Sequence, residues 1–160
     1  MNAKIYPSSI QGEISVPSSK SHTIRALIIA TLAGGRSYIR NPLLSDDCKA
    51  AMRIAGQFGS TVTAEDGVWI VDGPVDGLKT PDDIVNVDNS GTTLYFMTSV
   101  AALLRDYTVF TGDKSIRKRP VQPLLTALNQ LGAQSSTTRE GNACAPFFIK
   151  GPIRGGEVNV

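Results

Sequence analysis

Histidine and cysteine are scarce in this chain of 160 residues. His22 is the single histidine, so a metal site with several histidine ligands is excluded. Cys48 and Cys144 fit neither a metal-ligand spacing nor a CxxC motif, and isolated thiols of this kind are typical of a reducing compartment. No secretory signal is visible, and no apolar run reaches the ~20 residues that cross a bilayer. We therefore expect a cytoplasmic protein with no membrane partner.

A strong charge of one sign is also lacking. The formal net charge is +2, which is too small to indicate a nucleic-acid partner by itself. Apolar residues make up 41% of the chain and charged residues 19%, as in ordinary globular proteins. A chain of this length can bury a real core as one domain.

What the chain does contain is an internal repeat. An alternating stretch closed by a valine occurs at 12–16, 82–87 and 156–160, and the valines are 71 and 73 residues apart. The features between these stretches come in one order: a polar turn, an apolar helix, a strand, a helix before a glycine, and two strands. Both units finish on Gly-Pro. The predicted helices are 24–33, 50–58, 94–104 and 123–131, and the predicted strands are 13–16, 37–40, 60–63, 68–71, 82–87, 107–110, 134–138 and 147–150.

The repeat predicts an α/β (α+β) chain made of two β-α-β-α-β-β units, at 15–81 and 82–154. Residues 155–160 would begin a third unit. Because the sequence stops there, we expect this chain to be one piece of a larger protein.

The stretch 17–25 joins the first predicted strand to the first helix. Its serines can cap the helix, and Lys20 lies in the cap region. Ser21 and Arg25 are one helical turn apart and so share a face. Cations beside free backbone N–H groups can bind an anion. An ordinary helix start with two solvated charges explains the same residues, and both interpretations stay open.

The second helices of the two units begin differently. The first follows a serine and two acids, Asp46 and Asp47, which suit the positive end of a helix dipole. The second follows residues 114–120, where four cations crowd the predicted helix start and Pro120 fits its first turn. The dipole disfavours those cations, so a small anion would offset the cost. A solvated basic loop or a nucleic-acid patch is the alternative.

The turn at 89–93 is the counterpart of the opening stretch. Gly91 lets a ligand approach the backbone, and Asn89 and Thr92 can cap the helix or donate hydrogen bonds. Parallel units tend to place such turns on one side of a fold. We therefore expect one cationic surface for phosphorylated or carboxylated ligands, lined by Lys20, Ser21, Arg25, Asn89, Gly91 and Arg119.

Four segments resemble motifs of the 5-enolpyruvylshikimate-3-phosphate (EPSP) synthases, in order and with matching spacing. Residues 17–27 are similar to the opening motif, 41–47 to the next element, and 88–93 to the Asn-x-Gly-Thr turn. Residues 112–120 resemble the Arg-Pro loop, in a form associated with archaeal members. The resemblance covers essentially the whole chain and corresponds to the N-terminal part of the family.

The resemblance implies an inside-out α/β barrel of two domains, each of three such units. It also implies that the 5-hydroxyl of shikimate 3-phosphate attacks C2 of phosphoenolpyruvate, and that phosphate then leaves. No metal or other cofactor is implied. Residues 1–14 would form a strand segment of the other domain, and the remaining C-terminal part of the enzyme would be a necessary partner.

By the same resemblance, Ser21 and Arg25 contact shikimate 3-phosphate, Gly91 and Arg119 contact phosphoenolpyruvate, and Lys20 lies between the two. Asn89, Thr92 and Asp47 would support them, and no catalytic acid or base is expected in this chain. We therefore expect the chain alone to be an inactive part of a 3-phosphoshikimate 1-carboxyvinyltransferase. The alternative is a non-catalytic module that binds anions or nucleic acid. Basic residues interleaved with aromatics would indicate nucleic acid, and the segment 114–119 has no aromatic residue.

The resemblance is incomplete beside Gly91. Tyr95 and Phe96 stand where many bacterial members have Arg and Pro, and Ser18 stands where many have Gly.

Overall fold

The first helix, α1, runs from Lys20 to Ala33. Of the three serines before it, Ser19 is the cap, since its Oγ accepts the backbone N–H of His22 at 3.3 Å. The helix ends at Gly34, whose φ of 61° is one that glycine adopts at least cost. The structure is a computed structural model and describes residues 3–159.

The rest of the first half forms one sheet and a second helix. The elements are β1 (Gly35–Arg40), α2 (Asp46–Gln57), β2 (Thr61–Glu65) and β3 (Val68–Gly73). Both sheet neighbours of β3 run antiparallel to it, in the order β1-β3-β2. Arg36 and Asp72 pair directly across β1 and β3, and the hydrogen bonds from Arg36 lower the pKa of Asp72 below its ordinary 3.8. This exposed pair is therefore ionised at neutral pH.

The second half repeats this arrangement with one more strand. Its elements are β4 (Val85–Asn86), α3 (Gly91–Ala101), β5 (Thr108–Thr111), a 3-10 turn (Ile116–Lys118), α4 (Gln122–Gln130), β6 (Gln134–Thr137) and β7 (Phe147–Lys150). The sheet order is β4-β5-β7-β6, with β4 parallel to β5. The order β5-β7-β6 matches β1-β3-β2, so these strands have the same arrangement in both halves, as the repeat would lead one to expect. The division into units at 15–81 and 82–154 stays a prediction.

The predicted strand at 13–16 is wrong. Residues 3–19 contain no helix or strand, and Ile14 and Val16 are 88% and 76% exposed. Their counterparts in the second half, Val85 and Val87, are fully buried because that segment lies beside β5. A strand forms where an adjacent strand supplies hydrogen-bond partners, and none of residues 3–159 pairs with 13–16, whose exposed backbone can bond to water instead. The third predicted stretch also forms no strand over 156–159, and Val160 lies outside the described residues.

The repeated Gly-Pro ending has a packing reason. A Cβ on Gly73 would lie 2.7 Å from the carbonyl oxygen of Ala30, near the end of α1. A Cβ on Gly151 would collide with the carbonyl oxygen of Ala102, just after α3. Each unit thus brings its last strand against the C-terminal end of its own first helix, and only glycine fits there.

The core lies between the helices and the two sheets. Helix α1 packs on α2, α3 and β3, so the first helices of the two units touch. Phe110 and Phe147 stack with ring centroids 5.4 Å apart. The largest fully buried side chains are those of Trp69, Phe58, Phe110, Phe147, Ile24, Leu27, Ile54, Leu94, Met97, Ile116, Leu125 and Ile149. Among residues 3–159, no helix has both the length and the apolar character to cross a bilayer.

Candidate functional site

The start of α1 is tied to the start of α2 by an ion pair. Nζ of Lys20 lies 2.7 Å from Oδ2 of Asp47, and the Lys20 side chain remains 48% exposed. The two residues come from different elements, so the pair fixes the ammonium group relative to both helices. Asp47 thus supports Lys20 by direct contact, and the ammonium group can still reach a ligand from solvent.

Arg25 leans from α1 toward the second half of the chain. It lies one turn after the half-buried Ser21, and its guanidinium carbon is 5.4 Å from the ring centroid of Phe96 on α3. A cation over an aromatic ring at an exposed position contributes ~0.5–1 kcal/mol. The contact therefore holds Arg25 beside the exposed face of α3.

The turn before α3 places Gly91 at the first position of that helix. Ser90 is the cap, since its Oγ accepts the backbone N–H of Thr93 at 3.4 Å. Asn89, which the sequence offered as a capping residue, is exposed and does not cap the helix. Thr92 follows in the first turn and is half-buried. A Cβ on Gly91 would lie 2.5 Å from Nη1 of Arg119, so the guanidinium occupies the space that a side chain would need there.

The Arg-Pro loop lies on this turn. The backbone N–H of Asp113 donates to the carbonyl of Asp88 at 2.8 Å. The Asp113 carboxylate accepts the N–H groups of Ser115 and Ile116 at 2.8 and 2.9 Å, and Ile116 is fully buried. These contacts bring Arg119 to the start of α3, 28 residues after Gly91.

The predicted crowding of cations at the start of α4 is wrong. Arg117 and Lys118 lie in a separate 3-10 turn and not in the first turn of α4. Helix α4 begins later, with Pro123 in its first turn, while Pro120 forms a bridge with Cys144. The dipole argument for a bound anion therefore does not hold at this position.

A different observation supports an anion site. In residues 3–159 no carboxylate lies within 4.0 Å of Arg25 or Arg119. The cations that form ion pairs among these residues are Lys20, Arg36, Lys49 and Arg53. The first turns of α1 and α3 hold no acidic residue, whereas α2 holds two. Exposed guanidinium groups beside helix starts of this kind suit phosphate or carboxylate.

Tyr95 and Phe96 have contacts that the sequence analysis missed. The hydroxyl of Tyr95 donates to the carbonyl of Pro120 at 3.1 Å, and the ring of Phe96 lies beneath the guanidinium group of Arg25. On α3 these two residues follow Gly91 and Thr92 by one turn each, so their i, i+4 spacing points to the same surface. Helix α3 thus presents an exposed face with Arg119 near one edge and Arg25 near the other.

The chain is similar throughout to known proteins. A family profile described as EPSP synthase (3-phosphoshikimate 1-carboxyvinyltransferase) matches residues 5–160. Three relatives carry the name 3-phosphoshikimate 1-carboxyvinyltransferase. The one from Acetivibrio thermocellus is 44% identical over 160 residues, all of this chain and 38% of the relative. The relative from Methanosarcina mazei is 47% identical, over 100% of this chain and 37% of the relative. That from Methanothermobacter thermautotrophicus is 45% identical, over 95% and 36%.

The same likeness extends to solved structures. An EPSP synthase from Acinetobacter baumannii matches with a TM-score of 0.83 at 26% identity, over 93% of this chain and 34% of that one. A second structure of EPSP synthase from that organism gives a TM-score of 0.80 at 28% identity, over 89% and 32%. The chain therefore spans at most 38% of the length of these relatives.

Proposed function

The chain belongs to the EPSP synthase family and has its α/β fold, and from that premise we propose that it supplies part of the site for enolpyruvyl transfer. In this reaction the 5-hydroxyl oxygen of shikimate 3-phosphate forms a bond to C2 of phosphoenolpyruvate as the C2=C3 double bond opens, so the hydroxyl loses a proton and C3 gains one. The tetrahedral product of that addition then expels phosphate from C2 while C3 loses a proton, and the double bond re-forms. Both substrates are anions, so a site that holds them together needs cations.

The observation that carries the proposal is the pair of exposed guanidinium groups flanking one face of α3. Arg119 lies against Gly91, Arg25 lies over Phe96, and neither has a carboxylate partner within residues 3–159. We assign Arg25 and Ser21 to shikimate 3-phosphate. Arg119 and Gly91 are assigned to phosphoenolpyruvate.

Lys20 is assigned to the space between the two substrates. Its ammonium group is held by Asp47 and can neutralise charge that develops as the bond forms. Asn89 and Thr92 complete the polar edge at the start of α3. The nucleic-acid alternative is less favoured by the sequence, because the segment 114–119 has no aromatic residue interleaved with its basic residues.

Arg25→Ala tests the shikimate 3-phosphate assignment. Loss of a charge-assisted hydrogen bond, ~1.5–3 kcal/mol, predicts about 10- to 150-fold weaker binding. Calorimetric titration of shikimate 3-phosphate into the wild-type chain and the variant measures it. Arg139→Ala, which removes another exposed arginine from the β6–β7 connection, is the matched control and should bind as the wild type does. Equal affinities of wild type and Arg25→Ala for shikimate 3-phosphate would show that Arg25 does not contact this ligand.

Gly91→Ala tests the phosphoenolpyruvate assignment. The new methyl group displaces the Arg119 guanidinium, so we expect phosphoenolpyruvate to bind about 10-fold more weakly or worse. Stability should not fall, because the atom displaced is the end of a flexible side chain. Gly56→Ala is the control: it also places alanine in a helix, and nothing lies within 4 Å of its Cβ. An unchanged affinity in Gly91→Ala, with full affinity in the control, would contradict the assignment.

A further inference from the structure

We propose that Tyr95 is a positioning residue that holds the Arg119 guanidinium at Gly91. Its hydroxyl donates to the carbonyl of Pro120, the residue directly after Arg119, at 3.1 Å. The proposal deepens the proposed function, since it rests on Arg119 as the contact to phosphoenolpyruvate. The contact between Tyr95 and the loop itself does not depend on which ligand binds.

The rigid partner in this contact is helix α3. Tyr95 lies one turn after Gly91, and its neighbours Leu94 and Thr98 are fully buried in the core. The hydroxyl of Tyr95 is therefore fixed relative to Gly91 by the helix itself. A hydrogen bond from that hydroxyl to the loop sets the distance between the loop and the start of α3.

The other partner is the exposed loop after Ile116. Residues 117–120 are all exposed, whereas Ile116 before them and Val121 after them are fully buried. Between these two anchors, within the described part of the chain, no other side chain donates a hydrogen bond to the loop backbone. Arg119 has no ion pair there to hold it in place. Backbone bonds of the 3-10 turn and the bridge from Pro120 to Cys144 shape this segment, and Tyr95 adds the side-chain contact that joins it to α3.

The size of the effect follows from the kind of bond. Tyr95 is 36% exposed, so its hydroxyl bonds to water when the loop moves away. A neutral hydrogen bond in such a position favours the docked loop by about 3- to 10-fold. A docked guanidinium loses less freedom when the ligand binds, so the same factor should appear in the affinity.

Tyr95→Phe tests the proposal, because it removes the hydroxyl and keeps the ring. Tyr107→Phe is the matched control: Tyr107 is also exposed, and its hydroxyl bonds to Gln134 at 3.0 Å. One readout is the rate of trypsin cleavage after Arg117 and Lys118, which needs no ligand. The other is the affinity for phosphoenolpyruvate compared with that for shikimate 3-phosphate, by calorimetry.

We expect Tyr95→Phe to speed cleavage in the loop about 3- to 10-fold over wild type, with other tryptic sites unchanged. Phosphoenolpyruvate binding should weaken by a similar factor while shikimate 3-phosphate binding is unchanged, a split that a general loss of stability would not produce. In an Arg119→Ala background, Tyr95→Phe should leave the remaining phosphoenolpyruvate affinity unchanged, since Tyr95 acts through Arg119.

Wild-type cleavage rates in Tyr95→Phe would overturn the proposal, as would equal weakening of both ligands. An additive effect with Arg119→Ala would also overturn it. If the wild-type chain binds no phosphoenolpyruvate, the assignment of that substrate fails, and the cleavage rates still decide whether Tyr95 positions the loop.

Discussion

The 160-residue chain is expected to bind shikimate 3-phosphate and to release no phosphate when phosphoenolpyruvate is added. Enolpyruvyl transfer moves a proton off the attacking hydroxyl, so it needs a free acid or base at the reacting atoms. The aspartates at the edges of the site already have partners. Asp47 pairs with Lys20, Asp88 pairs with Arg53 at 2.8 Å, and Asp113 accepts backbone N–H groups of the loop.

The site is also open to water. The side chains of Arg25 and Arg119 are exposed, so their charges are screened and the reaction is not enclosed. The relatives named 3-phosphoshikimate 1-carboxyvinyltransferase are more than twice as long as this chain. We therefore expect weak binding through Ser21 and Arg25 without turnover.

Phosphate release with both substrates measures this, and the full-length relative from Methanosarcina mazei serves as the positive control. A rate above that of buffer alone would contradict the prediction, provided that it falls in Arg25→Ala. A rate that is the same in wild type and Arg25→Ala would instead indicate a contaminating enzyme.

Gly151→Ala is expected to lower the free energy of unfolding by about 3 kcal/mol, at the upper end of the cost of overpacking. The added methyl group would collide with the carbonyl of Ala102, a backbone atom with little room to move. That carbonyl accepts the N–H of Ile153 at 2.9 Å, and the N–H of Gly151 donates to Leu104 at 2.8 Å. Relief of the collision therefore costs hydrogen bonds that join β7 to the end of α3.

Urea unfolding followed by circular dichroism measures the change. Gly155→Ala is the matched control four residues later, where nothing lies within 4 Å of the new Cβ and φ is not positive. The control should stay within about 0.5 kcal/mol of wild type. Equal urea midpoints for Gly151→Ala and Gly155→Ala would contradict the packing explanation of the Gly-Pro ending.

Most of the secondary structure was predictable because its signals are local. Serine caps at positions 19 and 45, apolar periodicity and glycines after helices act within one or two turns of the chain, and all four predicted helices form. The repeat also predicted two halves built alike, and β1-β3-β2 and β5-β7-β6 agree because similar segments in the same order pack in the same way. The four motifs indicated the EPSP synthase family, and the comparisons confirmed it.

The errors concern segments whose structure depends on a distant neighbour. The stretches at 13–16 and 82–87 have the same alternating pattern, yet only the second has a strand beside it. Pro120 fits a helix start by its ring geometry, but the chain around it pairs with Cys144 instead. A local pattern states what a segment can form, and the presence of a partner decides whether it does.

The sequence by itself determined the helices, the likeness of the two halves, the family and the candidate residues of the site. Tertiary structure alone decided how those residues meet. Arg119 reaches Gly91 because the loop docks on the turn at 88–91. The hydroxyl of Tyr95 on α3 donates to the carbonyl of Pro120 in the same loop. These contacts join positions 25 or more residues apart, so no periodicity or cap records them. They arise only when α3 and the loop pack against a common core.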